Sequence, residues 1–203
     1  MTVDEAKALV KSRLSEKRYK HTINVKKMAV KLAKRYGADE EKAALAALLH
    51  DSAKELPKAE MLQIFADNAI IAKNAAKRPA PVWHGYAASI LCQTQWGVTD
   101  PEILSAIECH TTGKQNMSLL DKIIYMADMT SAERDYPGVE ALRAEEMQNL
   151  DLALCHALNK ALPLCAKKAT HWTPTPLPHW MMPARPAPDK GAGTAFCGCA
   201  VTE

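Results

Sequence analysis

The chain has 203 residues, of which 48% are hydrophobic and only 5% are aromatic. This length suits one domain with a sizeable core, and the abundance of Ala and Leu favours helices over sheets. A formal net charge of +3 is too small to indicate a surface that binds nucleic acid or membranes. No apolar stretch reaches membrane-spanning length, and the first residues do not resemble a signal peptide. The six cysteines lack the spacing of a disulfide framework, so we expect a cytoplasmic protein.

Helical periodicity begins almost at the first residue. Thr2, followed three residues later by Glu5, predicts a capping box for the first helix. A second helix is predicted from about residue 18 to residue 36, with Gly37 as its left-handed cap. A third helix, capped by Asp39, is strongly apolar and ends in the pair His50-Asp51.

The same pattern continues through the second half of the chain. Further helices are predicted over residues 58–73, 84–96, 100–110 and 118–128, with a loop at Arg78–Pro81. The segment Arg134–Gly138 breaks the pattern, and one more long helix runs from about Val139 or Asn149 to Lys168. No alternating strand pattern competes, so the predicted fold class is all-α.

The composition of the sequence changes near Trp172. Six prolines fall within the fifteen residues that begin at Pro174, and a Gly-rich segment follows them. Helices do not tolerate this density of proline. We therefore predict a helical domain over residues 1–170 and an extended or disordered tail over residues 171–203. The spacing of Cys197 and Cys199 in that tail matches no standard metal site.

The pair His50-Asp51 is the most informative feature of the chain. An imidazole and a carboxylate at the end of a buried helix are costly to desolvate unless something compensates them, and a metal ion is the usual compensation. Further ligand candidates are spread along the chain, namely His21, His84, His110 and Asp128. Helical bundles build internal metal sites from ligands on separate helices. Imidazoles with carboxylates suit iron, manganese or cobalt, whereas a structural zinc site would more often use clustered cysteines.

Each candidate also has a simpler explanation when it is considered singly. His21 follows a basic stretch and could be a solvated surface residue, and His84 could cap a helix. His110 could lie at a helix C-terminus, where a partial positive charge is favourable. Asp128 could be an exposed helix residue. The combination of all of them favours a catalytic metal at the centre of a helical bundle.

The order His21, His50-Asp51, Asp128 matches the H…HD…D signature of the HD-domain metal-dependent phosphohydrolases. Longer segments resemble the bacterial YqeK family, over roughly residues 1 to 170. These segments are Leu48–Lys54, Trp83–Gly85, His110–Gly113, Ser118–Asp128 and Arg134–Gly138. That family consists of symmetrical diadenosine tetraphosphate hydrolases, which use iron and release two ADP molecules. The resemblance therefore implies an HD-domain helical bundle with this activity.

The resemblance also implies a role for each matching residue. The principal iron would be bound by His21, His50, Asp51 and Asp128, and a second ion could be held by His84 and His110. The catalytic group would comprise Asp51, Lys54, His84 and His110. Nucleotide contacts would come from Lys54, His84, His110, Thr111, Asp128 and Arg134. Lys54 could instead be a solvated lysine, Thr111 a turn hydroxyl and Arg134 a helix C-terminal charge.

Other functions stay open at this point. Another HD phosphohydrolase would act on a dNTP, a cyclic nucleotide or (p)ppGpp. The alarmone hydrolases carry an acidic pair after the motif, whereas this chain has Lys54-Glu55, which disfavours that substrate. A non-catalytic nucleotide-binding regulatory module is the alternative from a different class. The expected partner is a small-molecule nucleotide, and a homodimer is an assembly that the sequence leaves open.

The sequence departs from the family pattern near its C-terminus. Family members usually carry a His-Pro-x-Thr stretch and a later Arg-Asn that help to enclose the nucleotide. This chain has His171–Thr175, which matches that pattern in part and then continues into the proline-rich segment. Altered contacts to the adenosine are expected there, with the metal chemistry intact.

Overall fold

Helices make up the fold of the part of the chain that the structure describes. The structure is a computed structural model that describes residues 1–72 and 74–168, with the backbone alone for residues 160–168. Within these ranges there are two 3₁₀ turns, Ala75–Lys77 and Ala80–Val82, and ten α-helices without any strand. The helices are α1 (Val3–Arg13), α2 (Glu16–Tyr36), α3 (Glu40–Leu49), α4 (Lys58–Asp67), α5 (Ala69–Ala72), α6 (Trp83–Thr94), α7 (Pro101–Cys109), α8 (Leu119–Thr130), α9 (Val139–Glu146) and α10 (Leu150–Lys168). The predicted all-α class is confirmed, whereas the predicted tail and His171–Thr175 lie outside the described residues.

Several helix ends are set by the capping residues that the sequence indicates. Thr2 and Glu5 form a complete capping box at α1, and Ser118 and Asp121 form another at α8. Asp39 accepts hydrogen bonds from two backbone amides at the start of α3. These contacts satisfy N–H groups that the first turn of a helix leaves without an internal partner.

Two predicted helices are interrupted. The helix expected over residues 58–73 ends at Asp67, where the Asn68 side chain donates to the Ile64 carbonyl, and the short α5 follows. The long final helix is divided into α9 and α10. Of its two predicted starts, Val139 begins α9 and Asn149 directly precedes α10. The Asn149 side chain accepts from the Leu152 amide at 3.0 Å and thereby caps α10. Within the predicted loop, Ala80 begins a 3₁₀ turn.

Helix α3 occupies the centre of the bundle. Its seven residues from Ala43 to Leu49 are all buried, and it packs against α1, α2, α7 and α8. A helix that is apolar around its whole circumference is stable only when it is surrounded by other elements. The pair His50-Asp51, which follows α3 directly, is therefore carried into the interior. None of the helices in the described part of the chain is long and apolar enough to cross a membrane.

Arg143 of α9 fixes the loop that follows α8. Its guanidinium donates to the backbone carbonyls of Thr130, Ser131 and Arg134, at 2.8–2.9 Å. These carbonyls lie beyond or at the end of a helix, where the helix itself offers no donors. The loop also carries Glu133, so its fixed backbone positions two charged side chains, those of Glu133 and Arg134, beside the candidate site.

A carboxyl group is buried directly behind this loop. Glu146 is fully buried, and its Oε2 accepts a hydrogen bond from the Thr130 hydroxyl at 2.9 Å. Its Oε1 has no hydrogen-bond partner in the structure. Burial raises the pKa of Glu146 to about 7, despite the opposing influence of Lys31 and Arg143. The ionised form is therefore disfavoured in the folded protein.

Replacing Glu146 with Gln is expected to alter how stability depends on pH. Because the folded-state pKa lies above the unfolded value, Glu146 lowers the stability of the native protein as pH rises from 4.5 through about 7. The variant lacks this loss, so its stability relative to the native protein should rise by about 2–3 kcal/mol between pH 5 and pH 8. Urea unfolding of the metal-free proteins at both pH values measures this change. The exposed Glu60→Gln variant serves as the control, and an equal difference at both pH values for Glu146→Gln would contradict the assignment.

Candidate active site

The side chains predicted to bind metal converge at the centre of the bundle. They come from α2, the end of α3, the start of α6, the end of α7 and the second half of α8, and they are His21, His50, Asp51, His84, His110 and Asp128. All are buried except Asp128, which keeps 18% of its side chain exposed. Within each of the three overlapping groups that they form, the ligand atoms lie within 4.8 Å of one another. Residues that are distant in sequence thus form one cluster.

His50 and His110 adopt the same pose at the ends of α3 and α7. Each is the C-cap residue of its helix, and each donates from Nδ1 to the carbonyl three residues earlier. These contacts are 2.6 Å to Ala47 O and 2.7 Å to Ile107 O. The hydrogen bond at Nδ1 leaves the lone pair of Nε2 directed into the cluster, which is the tautomer that a metal ligand requires.

His21 is oriented by a carboxylate rather than by a backbone carbonyl. Its Nδ1 contacts Glu133 Oε1, and Glu133 accepts further hydrogen bonds from Asn24 Nδ2 at 2.8 Å and Ser131 Oγ at 2.7 Å. A carboxylate behind a histidine ligand is a common second layer of metal sites, where it fixes the tautomer and raises ligand basicity. Sequence reasoning missed Glu133, because nothing in its loop indicates that it folds back onto α2.

The two oxygens of Asp51 face two different pairs of histidines. Oδ2 lies 3.5 Å from His50 Nε2 and 3.6 Å from His21 Nε2. Oδ1 lies 3.2 Å from His84 Nε2 and 3.6 Å from His110 Nε2. This carboxylate therefore occupies the middle of the cluster, between the two histidine pairs.

The donor set meets the requirements of a cation site. Three of its buried atoms, His21 Nε2, His50 Nε2 and Asp51 Oδ1, have no hydrogen-bond partner in the structure. Buried polar atoms without a partner are costly. His21 Nε2 and His50 Nε2 both face Asp51 Oδ2, and a metal ion bound beside that carboxylate would satisfy both nitrogens. The residues present thus fit a divalent metal.

The protonation states of His50, His84 and Asp51 favour cation binding. Burial lowers the pKa of His50 to about 4 and also lowers the pKa of His84. Burial alone would raise the pKa of Asp51, but attraction to the surrounding histidines holds it well below its usual value. Neutral imidazoles and an ionised carboxylate are the forms in which these side chains bind metals. At His21 burial is outweighed by the neighbouring carboxylates of Asp128 and Glu133, which raise its pKa, so a metal ion there would have to displace a proton.

Three further predicted residues line the cluster. Lys54 Nζ lies 3.0 Å from His84 Nε2, and the Thr111 hydroxyl lies 3.3 Å from the same nitrogen. Arg134 donates from Nε to the Asp128 carbonyl at 2.8 Å and also pairs with the Asp128 carboxylate. Lys54 and Arg134 are each partly exposed, with 33% and 39% of the side chain accessible. Cationic groups thus border the cluster on its accessible side.

Arg18 is a second residue that sequence reasoning missed. Its Nη1 donates to Asp51 Oδ2 at 2.8 Å, and 30% of its side chain is exposed. The available signal was its position three residues before His21 on α2, because residues at this spacing lie on the same face of a helix. The basic stretch that surrounds it concealed this signal.

The comparison with protein families decides the assignment. The HD domain model matches residues 18–133, which include the whole cluster. The chain belongs to the HD-domain family. This HD-domain protein is 41% identical over 168 residues to a Bacillus subtilis (strain 168) protein named "Bis(5'-nucleosyl)-tetraphosphatase, symmetrical", covering 83% of this chain and 90% of that protein. A protein of the same name from Halalkalibacterium halodurans is 38% identical, covering 83% and 89%.

A solved structure is also similar to this HD-domain protein. It comes from Clostridium acetobutylicum and is described as a predicted HD superfamily hydrolase involved in NAD metabolism. The two share 38% sequence identity with a TM-score of 0.77, covering 83% of this chain and 89% of the other. The resemblance to the YqeK family and the HD-domain bundle, both predicted from the sequence, are thus confirmed.

Proposed function

We propose that this HD-domain protein is a metal-dependent hydrolase that cleaves diadenosine tetraphosphate symmetrically into two ADP molecules. The observation that carries the proposal is the convergence of four histidines and two aspartates on a cluster bordered by Lys54 and Arg134. The histidines and aspartates suit a metal ion, and the two cationic side chains suit a polyphosphate. Relatives of this chain, at 38–41% identity over most of its length, carry the name of this activity.

The proposed metal is iron, with manganese or cobalt as alternatives that the same ligands accept. His21, His50, Asp51 and Asp128 would hold the principal ion. When bound, such an ion lowers the pKa of water and polarises a phosphoryl oxygen, which is the chemistry that hydrolysis of a phosphoric anhydride requires.

His84 and His110 serve either as phosphate-facing groups or as ligands of a second ion. Lys54 Nζ lies 3.0 Å from His84 Nε2, and an ammonium group and a metal ion cannot share the lone pair of that nitrogen. A second ion would therefore have to displace Lys54. We favour a single ion, with His84 and His110 directed at the phosphates.

The cationic border would position the substrate. Lys54 and Arg134 provide charged donors for phosphate oxygens, and Thr111 provides a hydroxyl. Such donors offset the charge that develops in the transition state of phosphoryl transfer. Cleavage between the two central phosphorus atoms yields ADP on both sides. Protonation of the leaving ADP is optional, because its terminal phosphate already stabilises the negative charge.

Product analysis tests the proposal. Iron-loaded protein, purified without oxygen, is incubated with diadenosine tetraphosphate, and the nucleotides are separated by chromatography. ADP is expected as the sole product, whereas AMP together with ATP would rule out symmetrical cleavage. dATP and cyclic AMP, supplied in parallel, test the rival HD phosphohydrolase activities. Metal-loaded protein that turns over none of these nucleotides would instead support the regulatory binding module.

The location and the binding partners of the protein complete the proposal. We place the protein in the cytoplasm, with a small-molecule nucleotide as its partner and no role for nucleic acid. The small net charge of +3 disfavours a nucleic-acid partner. A homodimer stays a prediction that gel filtration with light scattering would test.

A further inference from the structure

Arg18 has no role in the proposed function so far, although it reaches the centre of the site. It lies on α2, and its Nη1 donates to Asp51 Oδ2 at 2.8 Å. Lys54 Nζ lies 3.9 Å from the other oxygen, Asp51 Oδ1. Arg18 therefore contacts one oxygen of the central carboxylate, and Lys54 lies beside the other. A guanidinium carries five N–H donors in a rigid fork, and such a fork matches the geometry of carboxylate and phosphate groups.

The start of α2 is hydrogen-bonded to the turn that follows His50-Asp51. Glu55 accepts from the Ser15 amide at 2.7 Å and from the Ser15 hydroxyl at 2.6 Å. Ser15 is also the N-cap of α2, where its hydroxyl accepts from the Arg18 amide. This double contact links the backbone of Arg18 to the segment that carries Asp51 and Lys54. Arg18 is thus held beside the cluster by the fold itself.

The two arginines of the site pair with the two carboxylates proposed as metal ligands. Arg18 pairs with Asp51, and Arg134 pairs with Asp128. A divalent ion bound to these carboxylates would compete with both guanidinium groups for the same negative charge. Once the ion is bound, each arginine needs another anion. A polyphosphate beside the ion supplies one.

We propose that Arg18 is a substrate-binding residue, which pairs with Asp51 in the metal-free protein and with a phosphate oxygen of the nucleotide once metal is bound. Its partial exposure, 30% of the side chain, allows it to reach a ligand without unfolding α2. Arg18, Lys54 and Arg134 would then hold the polyphosphate from three separate segments of the chain. The identity of the ligand as a nucleoside polyphosphate rests on the proposed function.

Nucleotide binding tests this role without depending on turnover. The affinity of Mn²⁺-loaded protein for ADP is measured by calorimetry for the native protein, for Arg18→Met and for Arg18→Lys. Loss of a charge-assisted hydrogen bond to phosphate should weaken ADP binding about 10- to 100-fold in Arg18→Met, with partial recovery in Arg18→Lys. Lys17→Met is the matched control, because it removes the same charge from an exposed neighbour and should change the affinity less than twofold.

Metal affinity separates this role from a purely structural one. If Arg18 competes with the ion for Asp51, metal-free Arg18→Met should bind Mn²⁺ at least as tightly as the native protein. Weaker Mn²⁺ binding, with ADP affinity of the loaded protein unchanged, would show that Arg18 only orients Asp51 and would overturn the proposal. Arg18→Gln provides the same comparison if Arg18→Met does not fold. If the native protein fails to hydrolyse diadenosine tetraphosphate while ADP binding still depends on Arg18, the proposed function fails and this inference stands.

Discussion

Replacing Asp51 with alanine is expected to abolish metal retention and to reduce hydrolysis by on the order of 10³-fold or more. Asp51 faces His21 and His50 with one oxygen and His84 and His110 with the other, so its removal takes a proposed ligand from the centre of the cluster. The four histidines would keep their positions but lose the negative charge that attracts a cation. Elemental analysis of the purified variant, together with a diadenosine tetraphosphate hydrolysis assay, measures both effects.

Asp121→Asn is the matched control for this experiment. Asp121 is equally buried and also accepts hydrogen bonds, from Ser105 and from the Ser118 amide, but it does not belong to the cluster. Its replacement weakens a helix cap and should leave metal content unchanged. Full metal content in Asp51→Ala would show that the ligand assignment is wrong. Loss of metal with undiminished hydrolysis would show that the chemistry does not need the ion.

Replacing Gly85 with alanine is expected to lower both stability and activity, although alanine is the better helix former. In an exposed helix the exchange would gain about 1 kcal/mol. Here a Cβ at position 85 would lie 2.9 Å from the Glu108 carbonyl oxygen and 3.3 Å from His110 Cε1. Relieving such overpacking typically costs about 1–3 kcal/mol, so the clash outweighs the gain. Helix α7 would shift, His110 would move with it, and activity should fall about 10²-fold.

Gly97→Ala distinguishes a general loss of stability from a displaced histidine. Gly97 has a φ of +66°, and a Cβ there would meet no atom within 4 Å. Alanine at this position costs roughly 1 kcal/mol through backbone strain alone. Gly97 follows the end of α6, whereas His84 of the cluster lies at the start of that helix. Thermal unfolding and hydrolysis assays on both variants should show reduced stability in each and reduced activity in Gly85→Ala only. Unchanged activity in Gly85→Ala would mean that the contact between α6 and α7 does not set the position of His110.

Much of the fold could be predicted because its signals are local. A capping box needs four adjacent residues, and the continuous apolar run of α3 already places its C-terminal end in the interior. The convergence of His21, His50 and Asp128 could be predicted for a related reason. Each is a polar residue at or near buried apolar positions, where only a shared partner makes its burial favourable.

The missed features depend on contacts between distant segments. Glu133 lies in a loop, and its contact with His21 arises because Arg143 fixes the backbone on either side of it. Arg18 lies in a run of basic residues, and its spacing from His21 does not separate it from Lys17, which lies on the same helix face. The docking of α2 against α3 brings Arg18 to Asp51. The start of the last helix stays open in the sequence between Val139 and Asn149, because the Asn149 cap competes with an otherwise acceptable helical continuation.

The burial of α3 has a kinetic consequence for the order in which ligands enter and leave. The histidines of the cluster are enclosed, and its exposed edge, among the described residues, is formed by Asp128 with Arg18, Lys54 and Arg134. An ion and a nucleotide would therefore share one entrance. A nucleotide bound over this edge would cover the ion beneath it, so saturation with nucleotide would be expected to slow loss of the metal.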